Sequence, residues 1–460
     1  MSTSSSSSIP FTVKRQEPML VVPKEPTPRE LKPLSDIDDQ EGLRFQVPVI
    51  MFYKPNPSMQ GQGQDPVRVI REGLAKALVF YYPLAGRLIE GPNRKLVVEC
   101  TSEGVLFIEA YAEVELNQLG EYEILPGSPL LDELIREVPG SDGILGCPLL
   151  VLQVTRFMCG GFAFSVRVNH TMSDGDGIVQ FLNTIAEFAK GKKLAAAPSV
   201  IPVWQREVLS ARHPPRITCL HHEFEQVPDT TNNEDTITNT KTNMIQKSFF
   251  FGPKEIRAIR NHLPPDCRAS SFEVLTAFLW RCRTRALAFN PNNTVRISCL
   301  VNGRSFPSLN IPHGYYGNVI AYPAAVSEAG KVCYFPLEYS VELVKMAKGQ
   351  ASAEYFRSAV DLMVIKGRPL YTVAGNFIVS DVRRLGLDSV DFGWGKPAFG
   401  GVATAYSLIS FYSRFKDGTV VPMCLPEPVM GRFEEELKKM TKEPFDGPIR
   451  HRPSKISSML

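Results

Sequence analysis

The pattern of apolar residues in the first half of the chain predicts a strand that leads through a turn into a helix. At 161–169 phenylalanine and valine fall at every second position, as on a half-buried strand. From Ile178 onward the apolar residues recur at three and four, which predicts an amphipathic helix. His170 stands where the strand ends, and 174–177 supply the turn. A side chain at such a junction is held firmly yet faces open space, as catalysis requires.

The candidate chemistry at this junction is proton transfer by His170. A neutral imidazole accepts a proton near neutral pH, which no other side chain does without a perturbed pKa. Asp174 follows four positions later and either orients the ring or pairs with an arginine that locks the turn. A single histidine at a strand end is also commonly structural, so spacing alone leaves both interpretations open.

Strands and helices alternate through the rest of the chain. Strands are predicted at 45–53, 96–100, 105–110, 149–157, 248–251, 295–301, 319–323 and 376–380, with a hairpin at Asp417-Gly418. Helices are predicted at 67–80, after Gly252, after a capping box at Ser270, at 341–363 and at 426–442. The alternation predicts an α/β fold in two domains.

A change in composition separates the two halves. Residues 191–245 are rich in proline and polar residues and contain few apolar anchors for a core. We interpret them as a crossover linker with a flexible insertion. The linker leaves an N-terminal domain at 1–190, which begins with a low-complexity serine run at 2–8, and a C-terminal domain at 246–460.

Composition excludes several classes of function. The 460 residues are 43% hydrophobic and 22% charged, as in a globular protein with sizeable cores. A net charge of +3 without basic tracts argues against a nucleic-acid partner. No apolar run approaches the ~20 residues of a membrane span. The chain also lacks the glycine-rich fingerprints of NAD and NTP sites.

Cysteine and histidine usage bears on metals and on the redox compartment. The nine cysteines are scattered and include no Cys-x-x-Cys pair, which predicts reduced thiols in an intracellular protein. The histidines other than His170 lack cysteine or carboxylate neighbours at ligand spacing. We therefore expect no metal site.

The last three residues bear on localisation. Ser458-Met459-Leu460 are similar to a peroxisomal address, with methionine in place of the basic middle residue. We expect either import through the peroxisomal receptor or a cytoplasmic location.

Two motifs together resemble the signatures of a known family. His170-Thr-Met-Ser-Asp174-Gly175 and the downstream Asp391-Phe-Gly-Trp-Gly395 resemble, in this order, those of the BAHD family of plant acyl-CoA-dependent acyltransferases. Leu34-Ser-Asp36, the stretch Tyr82-Pro-Leu-Ala-Gly-Arg87 and Val301-Asn302-Gly303-Arg304 extend the resemblance over nearly the whole chain.

The resemblance implies a fold and a co-substrate. It implies an α/β fold of two chloramphenicol-acetyltransferase-like domains about a solvent channel, in a monomer. It also implies that a late segment, 370–410, crosses back onto the sheet of the first domain. The co-substrate would be an acyl-CoA, with no bound cofactor and no metal.

The resemblance also implies roles for particular residues. Arg304 would pair with Asp174 and, with Gly175, support the histidine turn. Asp391 would either act as an active-site carboxylate or, with Gly393 and Trp394, shape a loop beside the channel; the loop interpretation is favoured.

Further residues are implied at the reacting carbonyl and at the CoA phosphates. Ser380 is a candidate oxyanion donor, because relatives that act on hydroxycinnamoyl groups carry threonine there; their nearby tryptophan is Val382 in this chain. Lys254, Ser270 and Ser271 combine a cation with a helix start, which suits CoA phosphates. A surface lysine and a helix cap would need no ligand.

The expected reaction follows from the same resemblance. Residues 34–53 are similar to the alcohol acyltransferase branch, which includes benzyl alcohol O-benzoyltransferases. The favoured substrates are benzoyl-CoA and benzyl alcohol, giving benzyl benzoate. The alternatives are acetyl-CoA or anthraniloyl-CoA with short-chain alcohols, and a catalytically silent scaffold. A metallohydrolase built on His170 and Asp174 lacks a third ligand.

Overall fold

The computed structural model describes residues 11–61, 63–121, 123–135, 137–191, 197–225 and 243–441. The serine run at 2–8, most of the expected insertion in the linker at 226–242, and the ending Ser458-Met459-Leu460 lie outside these ranges.

Eighteen strands and ten α-helices are present in the described residues. The strands are β1 Val13–Arg15, β2 Met19–Val21, β3 Leu31–Pro33, β4 Gln46–Tyr53, β5 Arg87–Glu90, β6 Leu96–Glu99, β7 Val105–Ala112, β8 Leu150–Phe157, β9 Phe162–Asn169, β10 Met244–Phe251, β11 Thr294–Cys299, β12 Val301–Asn302, β13 Ile320–Ala321, β14 Ala324–Glu328, β15 Asn376–Asp381, β16 Phe399–Val402, β17 Ile409–Phe415 and β18 Gly418–Pro426. The helices are α1 Pro57–Gly61, α2 Pro66–Phe80, α3 Leu130–Leu134, α4 Gly175–Ala189, α5 Pro253–Arg260, α6 Ser271–Leu287, α7 Ala329–Tyr334, α8 Leu337–Gly349, α9 Ala353–Ile365 and α10 Glu427–Thr441.

Two large sheets, one in each half of the chain, organise these elements. The first has the order β1-β7-β8-β9-β4-β16, with β2 also paired to β7. The second has the order β10-β18-β17-β15-β11-β14. Its parallel core of β11, β15 and β17 continues into antiparallel strands on both sides.

The strand β16 reaches the first sheet from late in the chain. It pairs antiparallel with β4, so that Phe399 lies opposite Phe52 and Val402 opposite Val49. The preceding strand β15 and the following strand β17 both belong to the second sheet. A strand from the second half of the chain therefore completes the sheet of the first half, in addition to the surface along which the two halves meet.

The junction around His170 has the predicted local structure. On β9 the alternate residues Phe162, Phe164, Val166 and Val168 enter one core, and Ala163 enters another on the opposite face. Asp174 caps the following helix α4, because its side chain accepts a hydrogen bond from the backbone N–H of Gly177. The apolar face of α4 packs against α2 and the first sheet.

Two elements of the second half differ in detail from the sequence prediction. The strand predicted at 319–323 is reduced to β13, a two-residue partner of β12, and Pro323 follows as a residue without an N–H to donate. The capping box at Ser270 is confirmed, since Ser270 and Glu273 exchange hydrogen bonds.

Neither a membrane span nor a disulfide is found in the described part of the chain. None of its helices has the length and apolar character needed to cross a bilayer. All nine cysteines are free thiols.

Candidate active site

His170 lines an apolar cavity of about 340 Å³ between the two halves. The first half contributes Val47 and Val168 from neighbouring strands, and the second half contributes Leu300 and Phe411. The imidazole itself is half-buried, with its ring against Phe45 at 5.4 Å between centroids. The spacing explains the placement, since His170 directly follows β9 and lies two positions after Val168, which lines the same cavity.

Asp174 is held by an arginine of the other half of the chain. Arg304 Nη1 lies 2.6 Å from Asp174 Oδ2, and Arg304 Nη2 lies 3.1 Å from Oδ1. The backbone N–H groups of Gly177 and Val319 donate to the same carboxylate. Of the two alternatives left open by spacing, the structure shows the arginine pairing: Asp174 fixes the turn and caps α4.

Asn318 supports the imidazole from the second half, and the sequence pattern gave no indication of it. Its Nδ2 atom donates to the backbone carbonyl of His170 at 2.8 Å. Its Oδ1 atom and the Nδ1 atom of His170 are both buried without a hydrogen bond to any described residue. The two side chains nevertheless interact closely enough for Asn318 to raise the His170 pKa. Nε2 is then the ring nitrogen available to the cavity.

A buried ion pair holds Asn318 in turn. Asp38 Oδ1 accepts from the backbone and the side-chain nitrogen of Asn318, both at 2.8 Å. Arg206, from the linker, donates to both oxygens of Asp38 at 3.0 Å and to the carbonyl of Met172 at 2.8 Å. The guanidinium is sandwiched among aromatic rings, with Trp204 at 4.4 Å. The turn after β9 is therefore fixed by three distant parts of the chain.

The surroundings of His170 favour the neutral base. Burial withholds solvent from the charged ring and lowers the pKa of His170. Asn318, Asp174 and Asp38 act in the opposite direction with smaller effects. A ring kept neutral at physiological pH is ready to accept a proton.

A larger, basic channel adjoins the cavity. It measures about 1230 Å³, and both spaces are lined by Asp176, Leu300, Asn302, Asp381 and Arg384. The channel lining carries seven further cationic side chains, namely Arg257, Arg260, Arg304, Lys348, Arg383, Arg414 and Lys416. Such a lining attracts anions, and phosphate groups in particular.

The structure places two of the three expected CoA contacts in this channel. Ser270 and Ser271 line it at the start of α6. Lys254 is exposed on α5 and is not among the lining residues, so its contact with CoA stays a prediction. Arg257 and Arg260 lie three and six positions further along the same helix and line the channel. The cations Lys254, Arg257 and Arg260 recur at every third residue, and this spacing was the signal in the sequence that could have indicated the two arginines.

Ser380 lies in the cavity together with His170. It is buried near the end of β15, opposite Phe411 of β17, and both residues line the cavity. Gly175, at the start of α4, lines the same space. A side chain at Gly175 would meet Leu385, because an added Cβ would lie 2.3 Å from its Cδ1 atom.

The loop at Asp391 lies elsewhere. Trp394 packs on Phe162, at 5.3 Å between ring centroids, and Phe162 begins the strand that ends beside His170. Eight residues of strand separate the two ends by roughly 26 Å. Asp391 accepts hydrogen bonds from the N–H groups of Gly393 and Gly395 at 2.8 Å, which closes a tight loop. Gly393 has a φ of 113°, which favours glycine.

Two other histidines contact carboxylates, which the sequence analysis did not anticipate. His221 Nδ1 lies 3.0 Å from Glu223 Oε1, and its Nε2 lies 2.9 Å from Ser358 Oγ. His222 Nδ1 lies 2.6 Å from Glu225 Oε1. Within the described ranges, no three His, Cys, Asp or Glu side chains converge as metal ligands would.

Comparisons with known proteins identify the class and the family of this protein. A family model described as "Transferase family" matches residues 11–440. "Alcohol acyltransferase 16" of Actinidia chinensis var. chinensis is 64% identical, covering 98% of this chain and 99% of its own. "Alcohol acyl transferase 1 allele GSd" of Malus domestica is 54% identical, with 97% and 98% covered. The chain therefore belongs to this transferase family, the BAHD acyltransferases.

Solved structures share the fold. Vinorine synthase matches with a TM-score of 0.69 at 22% identity, over 93% of this chain and 98% of its own. TRI101 of F. sporotrichioides, solved with coenzyme A and T-2, matches with a TM-score of 0.64 at 16% identity, over 89% and 98%. The expectation of two chloramphenicol-acetyltransferase-like domains is confirmed by these matches.

Proposed function

We propose that this protein transfers the acyl group of an acyl-CoA to an alcohol, with His170 as the general base. One observation carries the proposal: the imidazole opens into an apolar cavity that joins a channel lined by cations. The channel suits the phosphates of CoA, and the cavity suits an acyl group and a small alcohol. The names of the relatives, which are alcohol acyltransferases, support the same reaction.

The reaction follows from the placement of the groups. His170 takes the hydroxyl proton as the alcohol oxygen bonds to the thioester carbon. Ser380, which lines the same cavity, donates in this proposal to the oxygen of the tetrahedral intermediate, a contribution of about 3 kcal/mol where such a donor acts. The carbon–sulfur bond then breaks, and the thiolate leaves with the proton from His170. The products are an ester and free CoA.

Benzoyl-CoA and benzyl alcohol remain the favoured substrates. Aliphatic side chains such as Val47 and Val168 line the cavity together with the ring of Phe411, and this apolar surface suits an aromatic ring. Acetyl-CoA or anthraniloyl-CoA with short-chain alcohols are the alternatives, because one methylene changes selectivity by only about 1–3 kcal/mol.

Asp391 acts as a loop former in this proposal. Its carboxylate closes the loop of Gly393 and Trp394 at the far end of β9, where it touches no reactant. Asp174 and Arg304 position the histidine turn through their ion pair.

Replacement of the histidine tests the mechanism. The variant His170→Ala is expected to lose ester formation while it still binds CoA in a titration. His313→Ala, at an exposed histidine, is the matched control and should keep full activity. Products from a panel of acyl-CoAs and alcohols, identified by mass spectrometry, rank the substrates. Full activity of His170→Ala would refute the mechanism, and no ester from any pair would refute the function.

We also propose that the protein acts as a monomer in the peroxisome or the cytoplasm. A fluorescent fusion with and without Ser458-Met459-Leu460 distinguishes the two locations. Light scattering after size exclusion measures the mass of the particle.

A further inference from the structure

The polar groups that line the His170 cavity bind mostly to one another. Ser173 Oγ donates to the backbone carbonyl of Asp174 at 3.1 Å, and the Asp174 carboxylate has its ion pair with the second half of the chain. Asn302 Nδ2 donates to Asp176 Oδ2 at 2.6 Å, where the cavity meets the channel. These groups therefore already have hydrogen-bond partners within the protein.

The reacting atom of an acceptor meets the imidazole and apolar side chains. Val47 and Phe411 line the cavity together with His170. The hydroxyl of Ser380, which also lines it, is assigned to the acyl oxygen in the proposed reaction. A site that selects an alcohol strictly needs polar groups that pair with the hydroxyl itself, because an analogue without a hydroxyl leaves them unpaired. The imidazole makes no such selection, since it accepts a proton from oxygen or from sulfur.

A sulfur atom already reacts beside this imidazole in the proposed reaction. The CoA thiolate leaves the tetrahedral intermediate and receives its proton from His170. In reverse, this step is the removal of a proton from a thiol by the same base, and a catalysed step runs in both directions. The channel joins the cavity at Asp176 and Leu300, which line both spaces. The proposed reaction therefore requires room for a sulfur within reach of the imidazole.

A thiol gives up its proton to this base more easily than an alcohol does. Burial lowers the pKa of His170, which makes the imidazole a weaker base. An alcohol holds its proton about as tightly as water, with a pKa of about 15.7, whereas the pKa of a thiol such as free cysteine is about 8.5. Sulfur also forms only weak hydrogen bonds. A thiol therefore loses less than an alcohol when it leaves water for an apolar cavity.

The protein's own thiols lie outside the cavity. All nine cysteines belong to the described ranges, and none of them is among the residues that line it. Cys299 precedes the lining residue Leu300, but its own side chain is buried. Acyl transfer to an added thiol therefore needs no acyl-cysteine intermediate, and the thiol attacks the acyl-CoA directly.

We propose that the protein also transfers the acyl group of an acyl-CoA to small uncharged thiols at the same site, so that it forms thioesters as well as esters. The thiol sulfur bonds to the carbonyl carbon as His170 takes its proton. The bond from that carbon to the CoA sulfur then breaks, and the proton passes to the CoA thiolate. The apolar lining and the volume of about 340 Å³ restrict the acceptor to small uncharged thiols. This activity rests on the proposed function, since it uses the same base and the same acyl donor.

Phenylmethanethiol tests the activity, because it differs from benzyl alcohol only in its reacting atom. It is incubated with benzoyl-CoA and the full chain at pH 7, where only a few per cent of a thiol is ionised and uncatalysed exchange is slowed. Mass spectrometry measures the product, S-benzyl thiobenzoate. We expect the wild type to form it at least about ten times faster than His170→Ala, since a general base contributes about 10²–10⁴-fold. His313→Ala, at an exposed histidine, is the matched control and should keep the wild-type rate.

A second thiol and the alcohol separate the outcomes. Glutathione carries several charges that the apolar cavity does not pair, so its exchange should be no faster with the wild type than with His170→Ala. Equal rates of the wild type and His170→Ala with phenylmethanethiol overturn the proposal. Exchange with glutathione as fast as with phenylmethanethiol also overturns it, because the reaction would then lie outside the cavity. Benzyl benzoate formed without the thioester rejects only the thiol activity, and the absence of both products rejects the proposed function.

Discussion

Asn318 donates a hydrogen bond of 2.8 Å to the backbone carbonyl of His170, and its side chain also raises the pKa of the imidazole. One residue of the second half therefore holds the backbone of His170 and also raises the pKa of its ring. Asp38, which accepts two hydrogen bonds from Asn318, holds the amide in this orientation. The base is positioned by a chain of contacts that ends at Arg206.

Removing the amide of Asn318 should reduce turnover more than binding. We expect Asn318→Ala to lower kcat about tenfold to a hundredfold, the cost of losing a partner that orients a functional histidine. The KM for acyl-CoA should stay within a factor of two, since Asn318 is not among the channel residues. Steady-state kinetics with each substrate varied separate the two constants. A raised KM with unchanged kcat would contradict the positioning role.

The pH dependence should show a base with a depressed pKa. Burial lowers the pKa of His170, so the free enzyme keeps the ring neutral to a pH below the usual value of about 6.5. The acid limb of kcat/KM is therefore expected below pH 6.5. Asn318→Ala removes an interaction that raises this pKa, and it should move the limb further toward acid. An acid limb above pH 7 in the wild type would contradict this.

The lowered pKa of His170 also makes the stability of the folded protein depend on pH. Below pH 6.5 the unfolded chain binds a proton at His170 that the folded chain resists. The contribution of His170 to stability is therefore lost as the pH falls through that range. Urea unfolding of the wild type and His170→Gln between pH 5 and 7 isolates the effect. The variant should show the weaker pH dependence.

Structure that depends on residues close in sequence could be predicted from the sequence, and contacts between distant residues could not. The strand β9, the turn and the helix α4 follow from residues close in sequence, so apolar spacing predicts them and places His170. Asn318 and Arg206 lie 148 and 168 positions from the residues they contact, His170 and Asp38. A polar residue in a loop belongs to no periodic pattern of apolar residues. The spacing of residues along the sequence also does not show which distant groups will meet. The partner of Asp174 entered the prediction through a family resemblance and not through physical reasoning.

The Arg304–Asp174 pair should contribute strongly to stability. Asp174 is 3% exposed in its side chain, so Asp174→Asn leaves the Arg304 guanidinium largely buried without its counter-charge. We expect a loss of about 3–5 kcal/mol in the free energy of unfolding. Asp176→Asn is the matched control, since its side chain is 42% exposed and lies 3.8 Å from Arg304. It should cost at most about 1 kcal/mol. Equal losses in the two variants, measured by urea unfolding, would contradict the assignment.

Gly177 is required by a close backbone approach. A Cβ added there would lie 2.1 Å from the carbonyl oxygen of Tyr316, which has no flexible end to move aside. Gly177→Ala should therefore displace the start of α4 and cost about 1–3 kcal/mol, with reduced turnover. Gly431→Ala, in α10, meets nothing within 4 Å and should stabilise by about 0.5–1 kcal/mol. Thermal unfolding of both variants checks the contrast, and a neutral Gly177→Ala would refute it.

Substitutions of two cations on one helix can distinguish binding of acyl-CoA in the channel from a general effect of surface charge. Arg257 and Lys254 are both exposed on α5, three residues apart, but Arg257 lines the channel and Lys254 does not. Arg257→Ala should raise the KM for acyl-CoA severalfold, more at low salt than at high salt, because phosphate attraction is screened by ions. Lys254→Ala should leave that KM within a factor of two at every salt concentration. The kcat should be unchanged in both variants, since neither residue lines the His170 cavity. If the two substitutions had the same effect, net charge would govern acyl-CoA binding and the channel geometry would not.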